Sequence, residues 1–170
     1  MELESLRDLY LDELKDVYHA EKQILRALPR MAKAASHDEL RTAFEEHLAQ
    51  TEEQVRRLET IFDDLGKPAR GKKCLGMEGL IAEGKEMMGE DAEPEVLDAA
   101  LISSAQRVEH YEIAAYGTLR TYARQLGYEN QAKLLQQTLD EEAATDERLS
   151  MLAESRINMD AEMGSGEGME

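Results

Sequence analysis

The chain has 170 residues, of which 34% are charged and 42% are apolar, and its formal net charge is −17. A surface this acidic repels nucleic acid and anionic membranes, so neither is expected as a partner, whereas metal ions are compatible with it. Solubility alone would also explain the charge. The single cysteine, the lack of a membrane-spanning apolar run and the lack of a signal segment at the N-terminus predict a reduced, cytoplasmic protein.

Apolar residues recur with helical periodicity through most of the chain and predict four long helices. The first two cover about 3–34 and 39–65 and are joined by a short turn, so they form an antiparallel hairpin. The other two cover about 94–126 and 130–155 and form a second hairpin, in which Gly127 ends the first helix.

The connection between the two hairpins has a different composition. Residues 66–94 contain six glycines and two prolines, and Met77 to Met88 could form a short extra helix. Two helical hairpins joined by a long crossover give an all-α, ferritin-like antiparallel four-helix bundle. We assign residues 1–157 to this bundle and expect residues 158–170, rich in Gly, Glu and Met, to be a flexible acidic tail.

Three carboxylates interrupt the apolar stripes of these helices. Glu21, Glu112 and Glu142 are flanked by apolar residues at spacings of three and four, which places each acid on the inner face of its helix. A buried carboxylate is costly unless it is protonated, paired or bound to metal. Because the stripes carry no inward Lys or Arg, the pattern favours a metal site where three helices converge.

A weak internal repeat relates the two hairpins. One ungapped shift of 91 positions aligns both helices and the turn of each hairpin, and it places Glu21 on Glu112. The same shift places Thr51 on Glu142, so one carboxylate of the second pair is missing. The predicted site is therefore asymmetric, and metal is expected to bind more tightly on the Glu142 side.

The ligand pattern departs from that of di-iron bundles, which use one Glu on each of two helices and Glu-x-x-His on the other two. Gln54 and Thr145 stand where those histidines would be. Gln54 is either a ligand or a core hydrogen-bonding residue. Glu109 is either an additional ligand or a solvated acid at the edge of the inner face. His47, on the inner stripe, is a nearby donor that could compensate for the missing histidines, but it is interpreted as a core histidine.

Several segments resemble the YciF-like family of the ferritin superfamily. They are Asp12-Glu-Leu-Lys-Asp-Val-Tyr-His-Ala-Glu-Lys-Gln, Leu28-Pro-Arg-Met-Ala-Lys-Ala-Ala, Gly71-Lys-Lys-Cys-x-Gly-Met-Glu-Gly-Leu and Thr138-Leu-Asp-Glu-Glu-Ala-Ala-Thr-Asp-Glu-Arg-Leu. The resemblance extends over about residues 3–157 and implies a rubrerythrin-like bundle, a homodimer and a role in bacterial stress response. The last segment is also similar to the Asp-Glu-Glu-x-His segment of bacterioferritins, with Glu142 at the position of the glutamate ligand.

Two functions remain open on these grounds. In the first, the bundle binds one or two iron ions, with manganese or zinc as alternatives, and oxidises Fe(II) with oxygen or peroxide as protection under stress. Its ligands would be Glu21, Glu112 and Glu142, assisted by Glu109 and Gln54. In the second, a structural or interaction protein has kept the bundle and lost the metal chemistry.

Overall fold

The computed structural model describes residues 3–164, which contain helices and no strands. This confirms the predicted all-α class and the ferritin-like bundle. Within the same range, no helix is both long and apolar enough to cross a membrane. The helices are α1 (Leu6–Ala34), α2 (Asp38–Asp64), α3 (Leu75–Met88), α4 (Pro94–Gln125), α5 (Glu129–Leu152) and α6 (Asn158–Met163).

The four long helices form a closed ring. Helix α1 packs against α2 and α4, and α5 packs against the same two helices, while α3 lies across α1 and α4. The core divides into two apolar clusters at opposite ends of the bundle: one includes Ile24, Leu101 and Leu149, and the other includes Leu14 and Leu119. Along α1, α4 and α5 the change from one cluster to the other falls at the buried glutamates, so a polar layer crosses the middle of the bundle.

The hairpin turns and the start of the crossover are each fixed by a specific backbone or side-chain feature. Gly66 and Gly127 have φ angles of 63° and 78°, the left-handed conformation that glycine adopts readily after the last turn of a helix. In the turn between α1 and α2, Asp98 of α4 accepts hydrogen bonds from the backbone N–H groups of Ser36 and His37. A carboxylate from another helix thus satisfies the free N–H groups there, tying the first hairpin to the second.

The crossover is held against α1 before α3 begins. The backbone N–H of Lys72 donates to the carbonyl of Lys15, and that of Cys74 donates to Nδ1 of His19, at 3.0 and 3.2 Å. The Cys74 side chain is buried, and its Sγ lies 3.0 Å from the Tyr111 hydroxyl. Burial raises the pKa of the Cys74 thiol, so neighbouring lysines in the sequence do not activate it.

The end of the chain differs from the flexible tail expected for residues 158–170. Beyond α5 the helix continues through a π-turn at Ala153–Ile157 into α6, which packs against α4. Ile157 is buried and belongs to the apolar cluster that includes Leu149. Tertiary packing therefore stabilises a segment that has no helical periodicity of its own, and residues 165–170 of the expected tail lie outside the described range.

Candidate metal centre

Four glutamates and one histidine meet in the middle of the bundle. Helix α1 supplies Glu21, α2 supplies His47, α4 supplies Glu109 and Glu112, and α5 supplies Glu142. None of the five is more than 2% exposed, which confirms that the three acids expected to face inward do so. The sequence allowed Glu109 to be either a ligand or a solvated acid at the edge of the helix face. In the structure Glu109 is buried as deeply as the others.

Four of these residues present donor atoms to one point. One donor atom each from His47, Glu109, Glu112 and Glu142 lies within 4.8 Å of the other three. His47 Nε2 is 3.1 Å from Glu109 Oε1 and 3.8 Å from Glu142 Oε2. Donors bound to one small ion at about 2.0–2.2 Å lie at most about 4.4 Å apart. A slight inward movement of the side chains would therefore bring all four onto an ion.

The same group contains polar atoms that the described residues leave without hydrogen bonds. They are both carboxylate oxygens of Glu112, Oε2 of Glu109, Oε2 of Glu142 and Nε2 of His47. The His47–Glu109 approach is close, but it does not have the geometry of a hydrogen bond. A buried polar atom without a partner costs about 1–3 kcal/mol. Five such atoms around one point require either a bound cation or protons that the carboxyl groups of Glu109, Glu112 and Glu142 share with one another.

Burial raises the pKa of all four carboxyl groups. The pKa of Glu109 is raised to about 7 and that of Glu21 to about 8, in the latter case with a further contribution from the charge of Glu142. Burial and neighbouring carboxylates raise the pKa of Glu112 and Glu142 well above the usual range. Without a cation the cluster therefore holds protons near neutral pH, and a cation would displace them.

Glu21 is not one of the four residues whose donor atoms converge, although its carboxyl group interacts with those of Glu112 and Glu142. Its Oε1 accepts a hydrogen bond from the buried Tyr116 hydroxyl, and its Oε2 has no hydrogen-bond partner within residues 3–164. Tyr116 lies four residues after Glu112 on the inner face of α4. The bond to Tyr116 leaves Glu21 with one oxygen for a metal.

Gln54 acts on the cluster through a hydrogen bond. Its side-chain amide donates to Oε1 of Glu142 at 2.5 Å and to Oε2 of Glu141 at 3.1 Å. Arg57 in turn binds both carboxylate oxygens of Glu141, each at 2.7 Å. In this orientation Gln54 is a core hydrogen-bonding residue that positions Glu142, which is one of the two interpretations drawn from the sequence.

His47 presents one ring nitrogen to the cluster and the other to polar side chains. Its Nδ1 lies 3.4 Å from Gln50 Oε1 and 3.4 Å from Thr145 Oγ1, while Nε2 faces the acids. Such an outer contact orients the ring of a metal-binding histidine. The sequence interpretation named His47 as a nearby donor but favoured a core histidine, because the di-iron pattern directed attention to Gln54 and Thr145. The available signal was the position of His47 on the inner stripe of α2.

The chain matches the family described as a domain of unknown function (DUF892) over residues 5–162. Protein YciF of Escherichia coli strain K12 is 46% identical over 163 residues, which is 95% of this chain and 98% of that protein.

Solved structures agree with this match. The crystal structure of the E. coli stress protein YciF has a TM-score of 0.87 at 46% identity, covering 91% of this chain and 98% of that chain. YcfI from Rhodopseudomonas palustris, provisionally called a structural protein, has a TM-score of 0.86 at 42% identity, covering 88% and 95%. A protein from Xanthomonas campestris has a TM-score of 0.72 at 22% identity, covering 91% and 94%, and shows the fold alone.

Proposed function

This chain belongs to the DUF892 family, and we propose that it is a metal-binding bundle protein that holds iron and protects the cell under stress. The stress context comes from the similarity to the E. coli stress protein YciF. The metal-binding function is supported chiefly by one observation, the convergence of buried donor atoms of His47, Glu109, Glu112 and Glu142 on one point. With the acids ionised, five donor atoms of these residues have no hydrogen-bond partner within residues 3–164.

The donor set favours iron or manganese. Oxygen donors combined with one imidazole suit these metals, whereas copper and tightly bound zinc sites contain more nitrogen or sulfur. Three carboxylates near one divalent ion also give a site with excess negative charge, which stabilises a trivalent ion relative to a divalent one. We therefore propose one iron ion at His47, Glu109, Glu112 and Glu142, with Glu21 as the ligand nearest to a weaker second ion.

The proposed chemistry is the oxidation of Fe(II) by dioxygen or peroxide. Bound iron would supply one electron per ion, and the oxidant would take up these electrons together with protons to form water. The protein contributes the negative charge that favours Fe(III) and an interior from which bulk water is excluded. The carboxyl groups, whose pKa values are raised, release protons as the metal enters.

The alternative is a structural protein whose acids stay protonated. The hydrogen bonds of Tyr116 to Glu21 and of Gln54 to Glu142 favour this alternative, because they satisfy part of the polar layer without metal. Thr51 supports it as well, since its hydroxyl donates to the His47 carbonyl at 2.8 Å and offers the cluster nothing.

Metal analysis of protein purified without added metal separates the two functions. We expect about one equivalent of iron or manganese per chain, and its loss in Glu112→Gln, which keeps the shape of the side chain and removes its charge. Glu52→Gln, an exposed position on α2, is the matched control and should keep its metal. Less than about a tenth of an equivalent, with no uptake of added Fe(II) by folded protein, would rule out the metal-binding function.

The homodimer implied by the family resemblance remains a proposal. Light scattering on the purified chain would test it, and a monomeric mass at micromolar concentration would contradict it.

A further inference from the structure

An apolar cavity beneath α3 leads to the His47 end of the cluster. Its walls come from five helices and are mainly aliphatic or aromatic, and the polar residues that line it are Arg30, His47, Lys85, Ser104, Glu109 and Thr145. On the α3 side, Leu80, Ile81 and Met88 are only partly buried, so this helix covers the cavity from the surface. The cavity thus joins the face under α3 to the buried donor atoms.

The size and lining of the cavity restrict what can occupy it. Its volume is about 50 Å³, where one water molecule requires about 10–15 Å³. An apolar cavity of this kind stays dry and binds small apolar molecules, because water would find few hydrogen-bond partners there. An acyl chain is too large, whereas a diatomic gas fits.

We propose that this cavity binds a small apolar molecule of the size of dioxygen and conducts it to the His47–Glu109 edge of the cluster. The identification of dioxygen as the oxidant rests on the proposed function, while the binding site itself rests on the cavity. In the reaction that bound iron would supply, one dioxygen would take up four electrons, one from each of four Fe(II) ions, together with four protons from solvent to form two water molecules.

A second opening reaches His47 from another side and is polar. It lies between α2 and α5, and its lining includes Glu46, Gln50, Thr145 and Arg148. The side chains of Arg148 and Glu46 form an ion pair across it. A polar molecule such as hydrogen peroxide is solvated better in this opening than beneath α3. The two oxidants should therefore differ in their dependence on the apolar cavity.

Two positions allow the apolar cavity to be filled from opposite walls. Ala105 of α4 is buried and lines the cavity, so Ala105→Leu adds three carbons to it. Gly84 of α3 also lines it, and a Cβ there would lie 3.6 Å from Ser104 Cβ, an ordinary contact. The Cβ of Gly84→Val therefore fits against Ser104, and its two methyl groups take up space in the cavity. The control is Ala99→Leu, on the same helix as Ala105 and packed against the same cluster, but outside the cavity.

Xenon binding tests the site without iron. Crystals of the wild-type protein under xenon pressure are expected to show one xenon atom beneath α3, and Ala105→Leu and Gly84→Val are expected to lack it. The Ala99→Leu control should retain it. Absence of xenon from the wild-type cavity would overturn the proposal whatever the iron content of the protein.

Stopped-flow oxidation of the Fe(II)-loaded protein tests the route. Because interiors are close-packed, filling the cavity should slow oxidation by dioxygen about tenfold. Oxidation by hydrogen peroxide should stay within about twofold of the wild-type rate, since it uses the polar opening. Unchanged dioxygen rates in both filled variants, or equal slowing with both oxidants, would overturn the proposal.

The two measurements separate this proposal from the proposed function. Xenon in the cavity of a chain that takes up no iron would support the binding site and refute iron chemistry. Stoichiometric iron in a protein whose cavity takes up no xenon would support iron binding and refute the apolar binding site.

Discussion

The two ends of the buried polar layer differ in how their polar atoms are satisfied. At the His47 end, His47 Nε2, Glu109 Oε2 and both oxygens of Glu112 have no hydrogen-bond partner within residues 3–164. At the Tyr116 end, Oε1 of Glu21 accepts a hydrogen bond from Tyr116, and Oε2 of Glu21 has no partner within the same residues. One end therefore presents free donor atoms, whereas the other is partly closed by hydrogen bonds.

The internal repeat explains how this difference arose on one symmetric scaffold. Under the 91-residue shift His47 corresponds to Thr138, and Glu109 corresponds to Tyr18. Thr138 accepts a hydrogen bond from Arg57 at 3.1 Å, and Tyr18 donates one to a glutamate of α2 at 3.0 Å. Equivalent positions thus hold candidate ligands at one end and satisfied hydrogen-bonding groups at the other, which favours one metal ion over two.

The largest effect on metal affinity is expected from replacing His47 at the His47 end of the polar layer. His47→Ala removes the one imidazole of the donor group and should weaken metal binding about 100-fold or more, beyond the loss typical of outer contacts. Thr138→Ala, at the repeat-equivalent position, should leave the affinity within about threefold, because Thr138 contacts Arg57 and not the cluster. Titration of the metal-free variants with Mn(II) measures both, and equal losses would contradict the difference between the ends.

The pH dependence of stability tests the cluster as a whole. The pKa of Glu21 is raised from 4.5 to about 8 by burial and by Glu142, and that of Glu109 to about 7 by burial. A carboxyl group with a raised folded-state pKa binds more protons in the folded than in the unfolded state. The free energy of unfolding therefore falls as the pH rises from the ordinary pKa of 4.5 to the raised values of about 7 and about 8. The Tm of metal-free protein should therefore fall by about 5 °C or more from pH 5 to pH 8.

Two comparisons isolate the buried groups from general charge repulsion. Glu21→Gln should show a smaller fall in Tm over the same range, because the residue that titrates to about pH 8 is gone. Mn(II) should stabilise the wild-type protein more at pH 8 than at pH 5, because the metal displaces protons from the carboxyl groups. A fall in Tm that is identical in Glu21→Gln would show that Glu21 does not contribute.

At the Tyr116 end, Tyr116→Phe should lower the free energy of unfolding without affecting the metal site. The change leaves the buried Glu21 without its hydrogen bond and should lower the free energy of unfolding by about 1–3 kcal/mol. Tyr122→Phe, a partly buried position on the same helix, should change it by less than about 0.5 kcal/mol. Urea unfolding of the metal-free variants checks this, and a loss of Mn(II) affinity in Tyr116→Phe would instead place Glu21 among the principal ligands.

Periodicity predicted most of the fold because each long helix carries a clear apolar stripe. The ring of helices and its crossover followed from hairpin connectivity, and the inward positions of Glu21, Glu112 and Glu142 followed from polar residues within those stripes. The continuation of the helix beyond about residue 155 was not predicted from the periodicity. It depends on the packing of Ile157 into the core rather than on the local sequence pattern.

Which residues form the site was harder to predict, because small rotations of each helix about its axis decide which side chains face the cluster. The buried face of α4 runs through Ala105, Glu109, Glu112 and Tyr116, whereas Val108 and Ala115, the apolar residues that flank Glu112 at spacings of four and three, are only partly buried. That rotation buries Glu109 and points Tyr116 at Glu21. His47 joins the cluster for the same reason: its contact with Glu109 is set by how α2 and α4 are placed across the bundle, which a single helix pattern does not contain.

The smallest effects are expected at a pair of arginines that the repeat relates to each other. Arg57 binds Glu141 through two hydrogen bonds in a partly buried position and so supports the Gln54–Glu142 contact, whereas Arg148 pairs with Glu46 at a more exposed position. Arg57→Gln should lower the free energy of unfolding by about 1 kcal/mol and Mn(II) affinity about threefold.

Arg148→Gln should change the free energy of unfolding by less than about 0.5 kcal/mol, because exposed ion pairs contribute little. Urea unfolding and Mn(II) titration of both variants measure the contrast. Equal effects would mean that the hydrogen bonds from Arg57 through Glu141 and Gln54 do not position Glu142. The asymmetry of the bundle would then lie in the four candidate ligands alone.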